Sequence, residues 1–347
     1  MLLKLKTNLG ICNIYLTFHF LFVFGETNFE RKIFNVLSKE KSSENLIFSP
    51  ISIEVALALG YFATTGETRA EIGNLLDLHG NSSEVERLYD SVIDGAKDKY
   101  QMKILSKIWV DESVKVRPRF QRIAKKSFNS EVSNGDFTNS RKVAGEINKW
   151  VAQKTNNKIQ NIISEESVNQ DTLLVLLNAV YFKSEWEHLF KLQKRPGRFW
   201  NNGENMVEVL TMSSTRNYLY GYLKELNSFA IEIPYKNNEL KMMMILPREK
   251  NGLQELEDKI NNINFMDLMK TRMTYREVKV ILPKFTISNE FDLVQVLSKI
   301  GVNKIFVNSG DFGGLFESPR TTKVSSARHS VFIDVNETGT EAAAATS

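Results

Sequence analysis

Cysteine is almost missing from the 347-residue chain, which contains Cys12 and no other. One thiol cannot form a disulfide bond within a chain, so burial of apolar surface must stabilise the fold. Small secreted domains usually need such bonds, whereas a chain of this length can bury a large core without them. With 42% hydrophobic and 25% charged residues, the composition is typical of a globular protein and excludes a wholly disordered one.

Histidine is also scarce, and motifs of catalysis are missing. The four histidines are His19, His79, His188 and His329, and none has a second histidine or cysteine at metal-ligand spacing. We therefore expect no zinc site and no cofactor. The sequence has no Gly-x-Ser-x-Gly motif, glycine-rich phosphate loop or His-Glu-x-x-His motif. We expect no enzymatic activity, although a serine triad dispersed along a chain leaves no local pattern.

Net charge is small, at +4, and gives no reason to expect a nucleic-acid partner. One basic cluster surrounds a short helix that Pro118 is expected to begin. Such a cluster could serve a polyanion or an acidic partner, and more simply it is a solvated helix face. Its members are Lys115, Arg117, Arg119, Arg122, Lys125 and Lys126.

The first 25 residues have the pattern of a secretory signal peptide. Lys4 and Lys6 provide a positive start, and residues 14–24 form an apolar stretch. The mature chain is then expected to begin near Glu26 and to be extracellular. An uncleaved anchor is the alternative, although the apolar stretch is shorter than a membrane span requires.

Two sequons are candidates for N-glycosylation, and they fit a secreted protein. Asn81 lies in Asn-Ser-Ser, and Asn336 lies in Asn-Glu-Thr. Unused matches to this short pattern are common, so each is only a candidate.

The rest of the chain, residues 26–347, has no repeat or linker that would divide it, so we expect a single domain. Helical periodicity is frequent before residue 200, and strand patterns are frequent after it. This irregular order favours an α+β fold over a doubly wound nucleotide-binding sheet. An apolar helix at residues 51–62 and an apolar strand at residues 172–182 are expected to be buried.

Two further helix starts are predicted from capping boxes. In this pattern a hydroxyl side chain and a carboxylate three residues later accept hydrogen bonds from the first free amides of a helix. Thr68 with Glu71 and Ser83 with Glu86 have the required spacing.

Several motifs follow one another in an order that resembles the serpin family, from about residue 28 to the last residue. The most specific is NAVYFKSEW at residues 178–186. It is accompanied by NLIFSPIS at residues 45–52, GETRAEI at 66–72, LPKF at 282–285 and DVNETGTEAAAAT at 334–346.

The resemblance implies a metastable α+β fold with three β-sheets and eight to nine helices. An exposed reactive loop would offer a peptide bond to a serine protease and, after cleavage, insert as a new strand in the central sheet. The implied partner is a secreted serine protease, either trypsin-like or chymotrypsin-like. A monomer that binds neither nucleic acid nor a membrane is implied as well.

The resemblance assigns the hinge of that loop to residues 337–345. Small side chains cost little to bury, and the segment has no proline that would remove a strand hydrogen bond. Alanine also favours helices, so a frayed helical tail is the simpler reading of the segment in isolation. The hinge residues are Glu337, Thr338, Gly339, Thr340, Glu341, Ala342, Ala343, Ala344 and Ala345.

Two groups of side chains are implied to control loop insertion. A sheet-opening cluster would lie beneath the central sheet, where hydrogen bonds can hold strands together and re-form after expansion; separately satisfied core residues are the alternative. A loop-entry cluster would lie at the top of the sheet and include an ion pair between Lys284 and Glu337. The first contains Ser49, Ser52, Asn178 and His329, and the second contains Trp186, Lys284 and Glu337.

The chain ends on the hinge side of the scissile bond that the resemblance implies. We therefore expect no bait residue in it, and we expect the last strands of the two smaller sheets to be lacking. A fragment, a splice form and a protein with a non-inhibitory binding or storage role would all have this sequence. In each case we expect that this chain alone does not trap a protease.

Overall fold

The structure is a computed structural model. It describes residues 2–5, 14–20, 27–42, 44–97, 102–201, 205–236, 240–260, 263, 265–318 and 320–340. Nine α-helices occur within these ranges. They are α1 (Asn28–Glu40), α2 (Pro50–Ala63), α3 (Gly66–Leu75), α4 (Ser82–Lys97), α5 (Pro118–Ser127), α6 (Ser140–Lys154), α7 (Leu253–Ile260), α8 (Phe265–Arg272) and α9 (Leu293–Lys299).

The strands of the same ranges form two large sheets and two short ribbons. They are β1 (Leu2–Leu5), β2 (Ile14–Phe20), β3 (Leu46–Phe48), β4 (Met102–Asp111), β5 (Glu131–Gly135), β6 (Leu174–Phe182), β7 (Ser184–Glu185), β8 (Lys191–Leu192), β9 (Gly197–Asn201), β10 (Asn205–Val209), β11 (Thr211–Leu223), β12 (Ser228–Pro234), β13 (Leu240–Pro247), β14 (Thr274–Pro283), β15 (Phe285–Asp292), β16 (Gly310–Asp311), β17 (Thr321–Thr322), β18 (Ser326–Val335) and β19 (Gly339–Thr340).

The central sheet has the strand order β5, β4, β6, β18, β19, β7, with β15 paired to the other edge of β18. Strand β6 is buried at all nine positions, as its mainly apolar sequence predicts. It is antiparallel to β4 and parallel to β18. We call the parallel contact between β6 and β18 the seam.

Helices cover both faces of this sheet. On one face α2 contacts β4 and β6, and every residue of α2 except Glu54 is buried. On the other face α6 packs Ile147 and Val151 against Val175 and Leu177 of β6. A helix that is apolar on nearly all sides needs such a central position, because its side chains must be shielded from solvent in every direction.

The second large sheet has the order β14, β11, β12, β13, β2, β1, β3, with β8 also paired to β11. Long β11 pairs first with β14 and then with β12, so it joins two regions that would otherwise be separate sheets. Strands β1 and β2 come from the predicted signal peptide and lie between β13 and β3. Removal of this segment on secretion stays a prediction.

The capping box predicted at Thr68 is wrong. Helix α3 begins at Gly66, so Thr68 and Glu71 lie inside it. Their side chains accept hydrogen bonds from distant backbone instead, Thr68 Oγ1 from Asp311 N (3.1 Å) and Glu71 Oε2 from Asn303 N (2.7 Å). The spacing of Thr68 and Glu71 fits a capping box, but the helix begins before Thr68. Both side chains bind backbone groups that are distant in the sequence.

The capping box predicted at Ser83 is displaced by two residues. Asn81 Oδ1 accepts hydrogen bonds from the backbone N–H groups of Ser83 (3.0 Å) and Glu84 (3.1 Å), and Glu84 Oε2 accepts one from Asn81 N (2.9 Å). Asparagine caps a helix as well as serine does, so both positions satisfied the sequence rule.

Candidate functional site

Three of the four residues expected in the sheet-opening cluster meet through their side chains at the seam. Asn178 of β6 and His329 of β18 lie opposite each other in the strand register, with His329 Nδ1 2.6 Å from Asn178 Oδ1. Ser52 of α2 places its hydroxyl 2.9 Å from the same oxygen and accepts a hydrogen bond at its backbone oxygen from Asn178 Nδ2. The cluster therefore ties both strands of the seam to the helix beneath them.

The hydrogen bonds of His329 determine its tautomer. The backbone N–H of Ser49 donates to Nε2 of His329 (3.2 Å), so this nitrogen is an acceptor and the proton is on Nδ1. Nδ1–H then donates to Asn178 Oδ1. Complete burial lowers the pKa of His329 to about 3, so the ring is neutral at physiological pH.

Two serines contribute to this hydrogen-bonded cluster in ways that the sequence did not predict. Ser49 takes part through its backbone, because its buried hydroxyl has no partner among the described residues. Ser106 was not predicted, yet its hydroxyl accepts a hydrogen bond from Asn178 Nδ2 (3.0 Å). It lies opposite Asn178 in the β4–β6 register, and its position as a polar residue in an apolar strand was the available signal.

At the top of the sheet, Asn336 shapes a tight turn between β18 and β19. Its Oδ1 accepts hydrogen bonds from the backbone N–H groups of Thr338 (3.0 Å) and Gly339 (3.2 Å). The indole Nε1 of Trp186 donates to the backbone oxygen of Asn336 (2.8 Å), and the backbone N–H of Trp186 donates to that of Thr338 (3.0 Å). Asn336 was considered only as a sequon, because the turn depends on contacts that the sequence does not show.

Lys284 and Glu337 of the loop-entry cluster form an ion pair, with Nζ 2.7 Å from Oε2. The hydrogen bond from Lys284 holds the pKa of Glu337 below its usual value. The backbone of Glu337 is also held, because its oxygen accepts a hydrogen bond from Phe190 N (2.9 Å). Trp186 therefore contacts the hinge from one side, and Lys284 contacts it from another.

Both residues of β19, Gly339 and Thr340, lie in the central sheet. Thr340 pairs with Val335 of β18 on one side and with Ser184 of β7 on the other. Because β15 pairs with the opposite edge of β18, β19 must lie on the same edge as β6. The hinge thus enters the top of the sheet directly above the seam.

Close packing explains which side chains occupy β19. A Cβ atom at Gly339 would lie 2.1 Å from the backbone oxygen of Ser184, so no larger residue fits there. Thr340 is fully buried, and its hydroxyl lies 2.6 Å from that of Tyr235. Tyr235 in turn stacks on Trp186, with ring centroids 4.5 Å apart. Tyr235 was not among the residues predicted for the loop-entry cluster.

The remaining candidate positions stay predictions. Residues 341–345, with Glu341 and Ala342, Ala343, Ala344 and Ala345, lie outside the described residues. Of the two sequons, Asn81 is exposed, whereas Asn336 is only 8% exposed and its Nδ2 donates to Asp334. Within the part of the chain that the structure describes, no group of three or more potential ligands could hold a metal ion. Nor is any helix there long and apolar enough to cross a bilayer.

The fold and these two clusters define a class of protein: an α+β domain in whose central sheet the short strand β19 pairs between β18 and β7, above the seam. A family model described as Serpin (serine protease inhibitor) matches residues 25–347. The serine protease inhibitor 42Dd of Drosophila melanogaster is 33% identical over 322 residues, which cover 91% of this chain and 85% of that protein. The chain belongs to the serpin family.

Other relatives agree with this assignment. Neuroserpin of Homo sapiens is 32% identical, with 90% of this chain and 78% of that protein covered. The crystal structure of Serpin48 from Tenebrio molitor is similar with a TM-score of 0.84 and 30% identity, covering 92% of this chain and 87% of that one. The predicted α+β serpin fold is confirmed, and the chain is a member of a protease-inhibitor family rather than an enzyme.

Proposed function

We propose that this protein is a secreted, monomeric inhibitor of serine proteases that works by inserting its reactive-loop hinge into the seam. The main support for this proposal is the position of Thr340, which is buried between β18 and β7 directly above the seam. A strand that continued from Thr340 toward the bottom of the sheet would have to separate β6 from β18.

The hydrogen bonds at the seam suit such an opening. Parting the strands breaks the contact between His329 Nδ1 and Asn178 Oδ1, but Asn178 keeps its bonds to Ser52 and Ser106. An inserted strand offers backbone donors and acceptors on both edges, so polar groups exposed by opening can be satisfied again. These directional hydrogen bonds also favour one register of the strands, which a purely apolar contact would not do.

The proposed target is a secreted serine protease of trypsin-like or chymotrypsin-like specificity. The residue at the scissile position decides between them, because arginine or lysine suits the first class and a large apolar residue the second. Secretion of the mature chain from near Glu26, with glycosylation at Asn81 or Asn336, belongs to the same proposal.

The test is incubation of the secreted full-length product with trypsin and with chymotrypsin, followed by denaturing electrophoresis. We expect a covalent complex with one of the two proteases. The variant Thr340→Arg should be cleaved without forming that complex, because the Thr340 site is fully buried and an unpaired charge there costs at least several kcal/mol.

Thr321→Arg is the matched control, since Thr321 is an exposed threonine in the short ribbon strand β17. It should inhibit as the unchanged protein does. Equal inhibition by Thr340→Arg would contradict insertion at the hinge, and cleavage of the unchanged product by both proteases without capture would contradict the inhibitory function.

A non-inhibitory binding or storage role is the second candidate. Thyroxine-binding globulin, solved in complex with thyroxine, has a similar fold with a TM-score of 0.84 and 25% identity. A glycan on Asn336 would favour this role, because it would obstruct the turn that the side chain now forms. Mass spectrometry of the secreted protein measures the occupancy of this sequon and separates the two candidates.

A further inference from the structure

Helix α6 borders a cavity of about 560 Å³ that the inhibitory function does not use. Residues of the segment 161–167 and of strands β15 and β18 form the rest of its wall, and we call it the α6 cavity. Its volume lies within the range of small-molecule sites in proteins, roughly 300 to 1,000 Å³. Because α6 itself packs on β6, the cavity connects the two sides of the seam.

Gly145 of α6 lines the α6 cavity at a position where a helix normally has a side chain. Glycine inside a helix is less stable than alanine, because its backbone loses more conformational freedom on folding. A Cβ atom at Gly145 would have no neighbour within 4 Å, so no close contact requires glycine there. The missing side chain keeps the cavity open at a cost in helix stability, which favours a ligand as its occupant.

Arg328 of β18 also lines the α6 cavity, and one edge of its guanidinium group lacks a partner. Nη1 lies 3.6 Å from Asp292 Oδ2, so that end of the group faces a carboxylate. Nε is buried and has no hydrogen-bond partner among the described residues. A buried donor without an acceptor is costly, and an arginine edge can bind a carboxylate through two parallel hydrogen bonds. The Nε edge therefore favours a carboxylate ligand.

The charges that line the α6 cavity balance each other. Its cations are Arg141 and Arg328, and its anions are Glu165 and Glu290. Partial burial raises the pKa of Glu290, although Arg328 acts in the opposite direction, so an added cation would stabilise the ionised carboxylate. Two carboxylates would repel a dianion and two guanidinium groups would repel a dication. A ligand with one charge of each sign complements this lining best.

Glu290 and Arg328 stand on the same face of the neighbouring strands β15 and β18. Asp292 lies directly opposite Arg328 in the register, and Glu290 is two residues from Asp292 along β15. Diagonal positions of this kind on antiparallel strands are about 7 to 8 Å apart. A ligand that has a carboxylate and an ammonium group on one carbon atom can reach both side chains across this distance.

We propose that the α6 cavity binds the zwitterion of a free α-amino acid, with its carboxylate on Arg328 and its ammonium group on Glu290. The side chain of the ligand then extends toward Gly145 of α6. A ligand in this position contacts both α6 and the strands beyond the seam, so it opposes the separation of β6 from β18. This effect on the seam rests on the proposed inhibitory function, whereas binding of the ligand does not.

The test of binding is thermal unfolding of the purified protein with L-glutamine, succinate or 1,4-diaminobutane at constant ionic strength. L-glutamine should raise the thermal midpoint by about 4 °C when it is present at roughly 100 times its dissociation constant. Succinate and 1,4-diaminobutane should have no comparable effect, because each has two charges of one sign. An equal or larger rise with either of them, or no rise with L-glutamine, would overturn the proposal.

Two variants locate the site. Gly145→Met should lose the response to L-glutamine because its side chain occupies the cavity, and without ligand it should be at least as stable as the unchanged protein, since methionine favours a helix. Arg328→Gln should lose the response because the carboxylate loses its partner. Lys149→Gln is the matched control, since Lys149 is exposed on α6 and is not part of the cavity wall, and it should respond fully. Equal responses of all these proteins would show general exclusion of the solute from the protein surface and overturn the proposal.

The rate of protease capture tests the effect on the seam. L-glutamine at about ten times its dissociation constant should slow formation of the covalent complex roughly tenfold, because a ligand that binds only the closed seam leaves about one molecule in eleven free to open. Gly145→Met should capture the protease at the same rate with and without L-glutamine. An unchanged rate for the unchanged protein would overturn the effect on the seam. Binding of L-glutamine by a protein that captures no protease would contradict the proposed function alone, so the two failures are distinguishable.

Discussion

Two titratable side chains, the half-buried Glu54 of α2 and the buried His329 of the seam, respond to pH in opposite directions. Burial raises the pKa of Glu54 on α2 to about 7, and the negative charge of Glu30 adds to this effect. Tyr89 donates a hydrogen bond to Glu54 Oε1 (3.0 Å), while Oε2 is buried without a partner in the described structure. Burial lowers the pKa of His329 to about 3.

The signs of the two contributions follow from proton binding. Folded Glu54 keeps its proton up to about pH 7, whereas the unfolded chain releases it near 4.5, so its contribution to stability is lost as pH rises through this window. Folded His329 stays neutral down to about pH 3, whereas the unfolded chain binds a proton below 6.5, so its contribution is lost as pH falls. Between about pH 4.5 and 6.5 the two effects oppose each other.

Glu54→Gln should therefore be more stable than the unchanged protein by on the order of 3 kcal/mol at pH 8, and by much less at pH 5. Urea unfolding at both values measures the difference. Glu146→Gln, at an exposed position of α6, is the control and should show little change at either pH. A difference for Glu54→Gln that did not grow with pH would show that Glu54 is ionised in the folded protein near neutrality.

At the scale of single elements, the two-residue strand β19 depends on its tertiary contacts. Its backbone hydrogen bonds alone could not hold it, because short strands gain too little to offset the loss of chain entropy. The buried hydroxyl pair of Thr340 and Tyr235 holds one end, and the Lys284–Glu337 ion pair holds the turn before it. Both side chains of the ion pair are partly exposed, so its contribution should be modest.

Charge reversal measures this restraint. Lys284→Glu and Glu337→Lys should each lower the free energy of unfolding by about 1 kcal/mol, and the double variant should recover most of the loss. Thermal unfolding gives the four values of the double-mutant cycle. Lys259→Glu, which reverses one partner of an i,i+4 surface pair on α7, is the control for a charge change remote from the hinge. Equal thermal midpoints for all four proteins of the cycle would show that the ion pair does not stabilise the hinge.

At the scale of the whole molecule, the central sheet is closed at the seam but already divided at its top. Below Phe332 the two strands pair directly, and above it β19 lies beside β18. A sheet in this state can gain hydrogen bonds by accepting more of the same segment. In the proposed mechanism, β6 and β18 would have to move apart to admit it, so the change would involve both halves of the sheet.

A synthetic peptide of residues 340–346 should raise the thermal midpoint of the protein by about 5 °C when present at several hundred times its dissociation constant. The reason is that an inserted strand would pair with both β6 and β18. The same peptide with arginine in place of Ala342, which alternates with Thr340 along a strand, should have no such effect, since the seam beside β6 is buried and an unpaired charge there is costly. Equal effects of both peptides would mean that binding occurs elsewhere.

Local patterns in the sequence predicted the elements whose environment follows from periodicity. The mainly apolar sequences of α2 and β6 predicted burial on all sides, and the structure has both elements in the centre of the molecule. The ordered motifs predicted the serpin fold as a whole, which the comparisons confirm. Asn178 and His329 could be paired only through family resemblance, because 151 residues separate them in the chain.

The sequence by itself determined the α+β class, the central helix and strand, and the small side chains of the hinge, because these depend on periodicity and residue size. Only the tertiary structure decided that Thr68 bonds to Asp311, that Asn336 forms the hinge turn, and that Tyr235 meets Thr340. Each of these contacts involves a partner chosen by the packing of distant segments. Hydrogen-bonding capacity is visible in a side chain, but its partner is defined only when the chain has folded.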